Sequence, residues 1–265
     1  MNPPLAILYE DSDCLAVAKP AGQFTQGTWA PPGETTLEEA VRRYLDAGDP
    51  ASVYLGMVHR LDRPTSGVLL WAKTPKAARR LSAQFERRRV VKEYWAIVEL
   101  GPSQSQSQPG RAEDDDTVRS LGEPGACSGL EWASPPLATW CDWLTRPSET
   151  GLARVVAPET PGARPAVTRV RRQPAPALPP GQAWLRLWPQ TGRTHKLRAQ
   201  AAARGLPILG DAAYGSTASF GTEHAIALHA RSLEVRHPIR QTPMMLVAPL
   251  PDAWRSMGME DAVSG

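Results

Sequence analysis

The chain has few of the residues that mark several classes of protein. Its three cysteines, Cys14, Cys127 and Cys141, form no metal-binding spacing and would leave one thiol over in any set of disulfides. So few cysteines favour a reducing compartment, and we expect the cytoplasm. No apolar run approaches the length that spans a bilayer, and the opening MNPPLAILYED lacks the basic start of a signal peptide. We therefore expect no membrane partner.

The chain as a whole also has little net charge, but its positive charge is concentrated in one region. The net charge is only +3, which says little about partners. Residues 60–92, however, hold ten lysines and arginines against two acids. A local excess of this kind is expected of a protein that meets phosphates. For Arg79, Arg80 and residues 87–89, a merely solvated helix surface is the alternative interpretation.

Length and composition favour one globular domain. Hydrophobic residues make up 42% and charged residues 22% of the 265 residues, which is ordinary for a soluble protein. This length suits one large domain or two small ones, and we find no repeat or clear boundary. We therefore expect a single domain over residues 1–265, with a flexible insertion around residues 102–165, where the low-complexity stretch SQSQSQPG precedes EDDD.

Apolar spacing predicts a series of strands and helices. Residues 6–9 and 14–18 flank an Asp-Ser-Asp turn and predict a hairpin. Residues 36–45 have helical spacing, and Thr36 and Glu39 match a capping box. The other predicted elements are strands over 68–72, 90–99, 166–171 and 183–188, and helices beginning at 75 and covering 195–204.

One segment combines several residues that could carry chemistry. Residues 59–73 read HRLDRPTSGVLLWAK, in which Asp62 lies between Arg60 and Arg63 before an apolar strand. A carboxylate flanked by cations can stay ionised and be directed at a substrate. The alternative is that Asp62 is a turn residue and the two arginines form a solvated face, because perturbed carboxylates are often structural.

Two further segments repeat this mixture of polar and apolar residues. Tyr94 lies in the strand-like KEYWA, and Arg198 ends the run TGRTHKLR before a helix. Taken alone, Tyr94 could equally be a core tyrosine with a satisfied hydroxyl group. The sequence contains no glycine-rich phosphate loop of the nucleotide-binding kind.

The three segments together resemble the RluA-type pseudouridine synthases, which isomerise uridine in RNA. The family hallmarks are His-Arg-Leu-Asp followed by Thr-Ser-Gly and an apolar strand, then Lys-x-Tyr-x-Ala, then Thr-Gly-Arg-x-His-Gln-Ile/Leu-Arg. The resemblance covers residues 6–22, 57–101 and 184–249 and implies an α+β fold. We expect a mixed, largely antiparallel sheet flanked by helices, with the active-site cleft across the sheet and no S4 RNA-binding domain.

The resemblance also implies roles for individual residues. It makes Asp62 the catalytic aspartate, Tyr94 the residue that stacks on the target base, and Arg198 the partner of the aspartate. Lys196 stands where glutamine is usual in the family. The residues that we expect to contact RNA are Arg60, Arg63, Lys73, Arg193, His195 and Lys196, with Lys19 a weaker candidate for phosphate or site contacts.

Uridine isomerisation involves no redox change and adds no atoms, so we expect no cofactor. We also expect no metal at His224, His229 and His237, because no cysteine pair or His-Glu motif accompanies them. The implied protein is a monomeric RNA pseudouridine synthase, an isomerase with rRNA or tRNA as partner. A non-catalytic RNA-binding or chaperone protein of the same fold is the main alternative.

A glycosidase or nucleosidase is a third possibility, but that chemistry needs a second carboxylate, and only Glu86 and Glu93 lie near. Whether Asp62 attacks the base, attacks C1′ or abstracts a sugar proton stays open at this stage.

Overall fold

A computed structural model describes residues 5–27, 30–101, 138–145, 151–175 and 177–261. Its strands are β1 Ala6–Glu10, β2 Cys14–Lys19, β3 Gly56–Met57, β4 Ser66–Ala72, β5 Val91–Glu99, β6 Ala138–Leu144, β7 Val155–Val156, β8 Arg164–Gln173, β9 Gln182–Pro189, β10 Leu228–Arg236 and β11 Pro243–Val247. Its helices are α1 Leu37–Leu45, α2 Pro75–Glu86, α3 Lys196–Ala202 and α4 Asp252–Arg255.

The strands join in one open sheet. Their order is β1-β2-β4-β10-β5-β9-β8-β6-β7, with β11 paired to β10 and β3 paired to β4. Within the described ranges, β4 and β10 form the one parallel pair, through His229 beside Ser66 and Ala230 beside Gly67. The expected α+β architecture, a mixed and largely antiparallel sheet with a few helices, is confirmed.

The central strand β4 explains how the helices cover the sheet. All seven residues of β4 are buried, and successive side chains point to opposite faces. Leu70 packs on one face with Leu81 of α2. Leu69 packs on the other face with Leu37 and Val41 of α1. A strand covered on both sides needs a continuous apolar run, which the sequence has.

Both long helices begin where the sequence predicts. Thr36 caps α1 by accepting from the Glu39 backbone N–H, and the Glu39 side chain accepts in return from the Thr36 N–H, so the predicted capping box is present. Thr74 caps α2 in the same way, through the N–H of Ala77, and Pro75 occupies the first helical turn, where its missing N–H costs nothing.

Some predicted boundaries were wrong. Residues 138–144 fall inside the expected flexible insertion, yet they form β6, which pairs along its full length with β8. These residues form a strand because their backbone pairs with β8, a strand that the sequence predicted. The rest of that insertion at 102–137 and 146–150 lies outside the described residues. Helix α3 begins at Lys196, because His195 before it has a left-handed backbone. No helix of the described part is long and apolar enough to cross a membrane.

Candidate active site

A cleft of about 590 Å³ opens on the face of the sheet that carries Tyr94. Its walls come from three stretches of chain: residues 58–65 before β4, residues 85–94 from the end of α2 into β5, and residues 188–198 from the end of β9 into α3. The three segments that the sequence analysis singled out therefore meet in one place, although more than 100 residues separate the first from the last.

The loop that carries Asp62 is held by backbone contacts on both sides of that residue. The Thr65 N–H donates to the Asp62 carbonyl at 3.0 Å. The buried ammonium of Lys19 donates to the carbonyls of Pro20, Arg63 and Thr65 at 2.8–3.0 Å. Burial lowers the pKa of Lys19 to about 7, and the negative charge of Asp62 opposes that shift. Lys19 is thus a positioning residue for the loop.

Two histidines hold the strand that follows the loop. The Ser66 hydroxyl lies 2.8 Å from Nδ1 of His229, and Nε2 of His229 lies 3.3 Å from the carbonyl of Ala248. Because a carbonyl can only accept, Nε2 carries the proton and Nδ1 accepts from Ser66. Burial lowers the pKa of His229 to about 4, so the ring is neutral at physiological pH. His59 similarly accepts from the Leu70 N–H at 3.0 Å.

The carboxylate of Asp62 faces a guanidinium group and an imidazole ring without a hydrogen bond to either. Its Oδ2 lies 3.9 Å from Nη1 of Arg198 and 3.9 Å from Nε2 of His195. The side chain is 21% exposed, and we find no hydrogen bond to it from any described residue. Asp62 is therefore kept near positive charge with its oxygens accessible from the cleft. This is the arrangement expected of a group that must approach a ligand.

Arg198 is oriented by a second acid. Asp211 accepts from Nε and Nη2 of Arg198 at 2.6 and 2.7 Å, and the pair is buried, with 7% and 1% of the two side chains exposed. The Arg198 guanidinium also lies 4.8 Å from the centre of the Tyr214 ring. Only Nη1 remains to face Asp62. The predicted pairing of Arg198 with Asp62 is thus a longer contact than the one with Asp211.

An unusual backbone conformation places His195 in the same cluster as Asp62 and Arg198. Its φ of 53° lies in the left-handed region, which residues other than glycine rarely adopt. In this conformation Nδ1 lies 3.1 Å from the Tyr214 hydroxyl while Nε2 faces Asp62. Burial lowers the pKa of His195, and the charge of Asp62 opposes that shift. Strained residues of this kind concentrate at functional sites.

Tyr94 forms part of the cleft wall beside Asp62. It lies in β5 opposite Leu187 of β9 and Ala230 of β10. Burial raises the pKa of the Tyr94 hydroxyl well above its ordinary value, and the negative charge of Asp62 adds to the shift. The hydroxyl therefore stays protonated at neutral pH. The ring offers the cleft a flat apolar surface with a polar end.

The predicted RNA-binding residues divide into two groups. Arg60 and Arg193 are exposed on the cleft wall, as expected for phosphate contacts, and His195 lies inside. Arg88 and Lys92 also line the cleft, although the sequence marked them only as members of the basic region of residues 60–92. An arginine or lysine at a cleft rim carries no distinguishing motif, so only the fold identifies these two.

The remaining three predicted RNA contacts have partners within the protein. Arg63 donates to the Gly22 carbonyl at 2.9 Å and stacks 4.5 Å from the Phe24 ring centre, so it fastens a neighbouring loop. Lys73 bonds Glu10 at 2.8 Å at the far end of β4, roughly 20 Å from Asp62 at strand spacing. Both side chains therefore have partners within the protein, and their contact with RNA stays a prediction.

Lys196 is the third. Its ammonium is enclosed and donates to the Val167 carbonyl at 2.9 Å and to the Thr191 carbonyl at 2.8 Å. The lysine therefore serves as a structural donor where the family has glutamine, and its predicted contact with RNA stays a prediction. Three ammonium hydrogens satisfy buried carbonyls as an amide would.

The described histidines do not gather into a metal site. His229 bonds Ser66 and His237 bonds Asp11. A cluster of Asp11, Cys14 and His237 has ligand atoms within 4.8 Å of one another. The Asp11 carboxylate there already accepts from His237 and Arg240, both at 2.7 Å, and from two backbone N–H groups. Hydrogen bonds satisfy this cluster without an ion.

Comparison with known proteins decides the family. The family model described as RNA pseudouridylate synthase matches residues 13–203, a range that contains Asp62, Tyr94 and Arg198. The chain belongs to this family. It is 35% identical to an uncharacterized RNA pseudouridine synthase of Zymomonas mobilis, with 95% of this chain and 96% of that protein covered.

Other relatives and solved structures agree. The chain is 31% identical to the tRNA pseudouridine synthase C of Salmonella typhimurium, over 94% of this chain and 87% of that one. Its fold is similar to that of human RNA pseudouridylate synthase domain containing 4, with a TM-score of 0.64, 20% identity and coverage of 96% and 94%. The protein is therefore an RNA uridine-to-pseudouridine isomerase of the RluA type.

Proposed function

We propose that this pseudouridine synthase modifies transfer RNA and that Asp62 is its catalytic carboxylate. The single observation that carries the assignment of Asp62 is its position in the cleft: it faces Arg198 and His195 at 3.9 Å and accepts no hydrogen bond from a described residue. The choice of tRNA is supported by relatives named tRNA pseudouridine synthase C, which are 30–32% identical to this chain.

The residues of the cleft can meet each demand of the reaction. The bond between uracil N1 and ribose C1′ must break and a bond from C5 must form, so the base has to leave its stack. In our proposal the flipped uracil stacks on Tyr94, its ribose lies beside Asp62, and Arg198 places an opposite charge 3.9 Å from that carboxylate. Arg60 and Arg193 at the rim contact the neighbouring phosphates.

A non-catalytic RNA-binding role for the same fold is less well supported. Such a protein would have no need to keep a carboxylate accessible beside Arg198, yet the buried Asp211 and the strained His195 both serve that arrangement. We also propose that the protein is a cytoplasmic monomer, which native mass measurement and cell fractionation would test.

The choice of RNA is tested by pseudouridine mapping of total RNA from a deletion strain and its parent. We expect one or more tRNA positions to lose pseudouridine in the deletion strain, and a plasmid with the wild-type gene to restore them. A plasmid that encodes Asp62→Asn should not. Loss at ribosomal RNA positions alone would overturn the tRNA assignment and leave the role of Asp62 intact. Restoration by the variant would overturn that role.

A further inference from the structure

Three consecutive arginines lie between the active-site cleft and a second groove. Arg87, Arg88 and Arg89, which we call the arginine turn, connect α2 to β5 and are all exposed. Arg88 lines the cleft, whereas Arg87 and Arg89 line a separate groove of about 350 Å³. The other lining residues of this groove are Arg80, Ala83, Gln84, Ile239 and Gln241.

The backbone of the turn directs these side chains to two sides. Arg88 has a φ of 55°, in the left-handed region, so the chain reverses there. The turn is closed by bonds from the Arg88 N–H to the Phe85 carbonyl at 3.1 Å and from the Arg89 N–H to the Gln84 carbonyl at 2.9 Å. Arg87 and Arg89 consequently share the second groove while Arg88 faces the first.

The second groove has a fixed framework. The Gln84 side chain donates to the Arg236 carbonyl and accepts from the Arg236 N–H, both at 2.9 Å. Arg80 donates to the Pro238 carbonyl at 3.0 Å. These bonds join α2 to the end of β10 and to the chain that follows it. The groove is therefore preformed, and binding a ligand would not require free energy to order its walls.

The charge of the turn is not neutralised within the described part of the chain. Arg87, Arg88 and Arg89 form no salt bridge there, whereas the exposed Arg240 and Arg255 are each paired with an aspartate. Glu86 directly precedes the turn in the sequence, and it forms no salt bridge with these arginines among the described residues. A rigid basic groove with free guanidinium groups fits phosphates in particular, because the planar donors of arginine match phosphate oxygens.

We propose that this groove is a second phosphate-binding site, which holds the backbone of the substrate RNA beyond the nucleotides in the cleft. The inference rests on the proposed function, since it takes the RNA to enter the cleft at Asp62. The strand would cross the arginine turn, with Arg88 on the cleft side and Arg87 and Arg89 on the groove side. Such contacts select for RNA shape and length, with no reading of base sequence.

The test compares Arg87→Gln/Arg89→Gln with a control of equal charge, Arg79→Gln/Arg164→Gln. Both control residues are exposed, and neither lines the cleft or the groove. Binding to a tRNA transcript and to a five-nucleotide RNA is measured by fluorescence anisotropy between 50 and 300 mM salt, on the order of the range where phosphate contacts respond. Thermal unfolding of both variants checks that they fold.

We expect the groove variant to bind the transcript roughly tenfold more weakly, with a salt slope reduced by about 1.4 to 1.8 for two lost phosphate contacts. The shift should be much smaller for the five-nucleotide RNA and for the control. Equal shifts for both variants, or for both RNAs, would overturn the proposal, as would no shift. Because binding is measured apart from catalysis, an inactive wild-type enzyme would refute the proposed function without deciding this test.

Discussion

At the scale of single residues, the site depends on how Arg198 is divided between two carboxylates. Asp211 takes two of its nitrogens at 2.6 and 2.7 Å, which leaves one facing Asp62 at 3.9 Å. A direct bidentate pair with Asp62 would occupy the oxygens that the substrate must meet. The structure instead supplies positive charge at a distance and leaves the carboxylate available to a ligand.

Replacing Asp211 should therefore affect both folding and catalysis. Asp211→Ala leaves the guanidinium of Arg198 buried without its partner, and we expect the free energy of unfolding to fall by about 3 kcal/mol. Urea unfolding measures this. Asp252→Ala is the matched control, because its carboxylate is fully exposed in a surface pair, and its removal should change stability by less than about 1 kcal/mol. An equal loss of unfolding free energy in the two variants would show that the buried Arg198–Asp211 pair stabilises the fold no more than the surface pair of Asp252 does.

His229 gives the protein a defined response to acid. Its pKa falls from 6.5 in the unfolded chain to about 4 in the folded protein, so between these values the unfolded chain binds the extra proton. Stability from this group is therefore complete above pH 6.5 and is lost as the pH falls towards 4. From pH 7.5 to 5 we expect a loss of about 2 kcal/mol from His229 alone. Urea unfolding of wild type and His229→Gln at both pH values should show a smaller loss in the variant, and an unchanged loss would contradict this account.

Sequence reasoning located Asp62, Tyr94 and Arg198 but missed the importance of Asp211. The first three stand in motifs whose residue types already suggest chemistry. Nothing in a sequence shows that a carboxylate 13 residues away will lie against Arg198. Lys196 shows a second limit: its charge suggested a phosphate contact, and only the fold shows that its ammonium is buried and donates to carbonyls.

At the scale of secondary-structure elements, the parallel contact between β4 and β10 places the Asp62 loop. Gly67 has a φ of 119°, and a Cβ atom there would lie 2.2 Å from the Ala230 carbonyl oxygen. Only glycine lets the two strands meet at this point. The Ser66–His229 bond lies at the same register, so the contact fixes where the loop leaves the strand.

Gly67→Ala should consequently disrupt the fold. Both the backbone angle and the clash oppose it, and we expect a loss above about 3 kcal/mol or no soluble folded protein. Gly101→Ala is the control, since no atom of the residues that the structure describes lies within 4 Å of a Cβ placed there, and it should be neutral within about 1 kcal/mol. Thermal unfolding followed by circular dichroism compares the two. A stable Gly67→Ala protein would show that the strands can separate without harm.

The strands with strong apolar runs were predictable, and others, such as β6 and β11, were not. β4 and β5 have continuous apolar stretches, and α1 has its capping box. β6 lies beside a low-complexity region that suggested a loop, and its residues become a strand because β8 pairs with them. β11 is a short edge strand that begins at a proline. Such strands form because they pair with a strand that is distant in the sequence. A local sequence pattern does not reveal this pairing.

At the scale of the whole molecule, one open sheet brings together segments that are far apart in the sequence. β4, β10, β5 and β9 are neighbours in the sheet, and the loops at their ends form the cleft. The ten basic residues between Arg60 and Lys92 are divided by this fold between the cleft, the arginine turn and the surface. Their clustering in the sequence was a sound indication of a phosphate partner, although individual members, such as Lys73, have structural pairs.

The central claim is that Asp62 carries out the isomerisation, and tritium release from C5-labelled uridine in RNA tests it most directly. Asp62 accepts no side-chain hydrogen bond from a described residue, so Asp62→Asn should fold and melt like the wild type. We expect the wild-type protein to release tritium from a tRNA transcript, and the variant to be slower by at least about a thousandfold. Equal release by the two folded proteins would contradict the account.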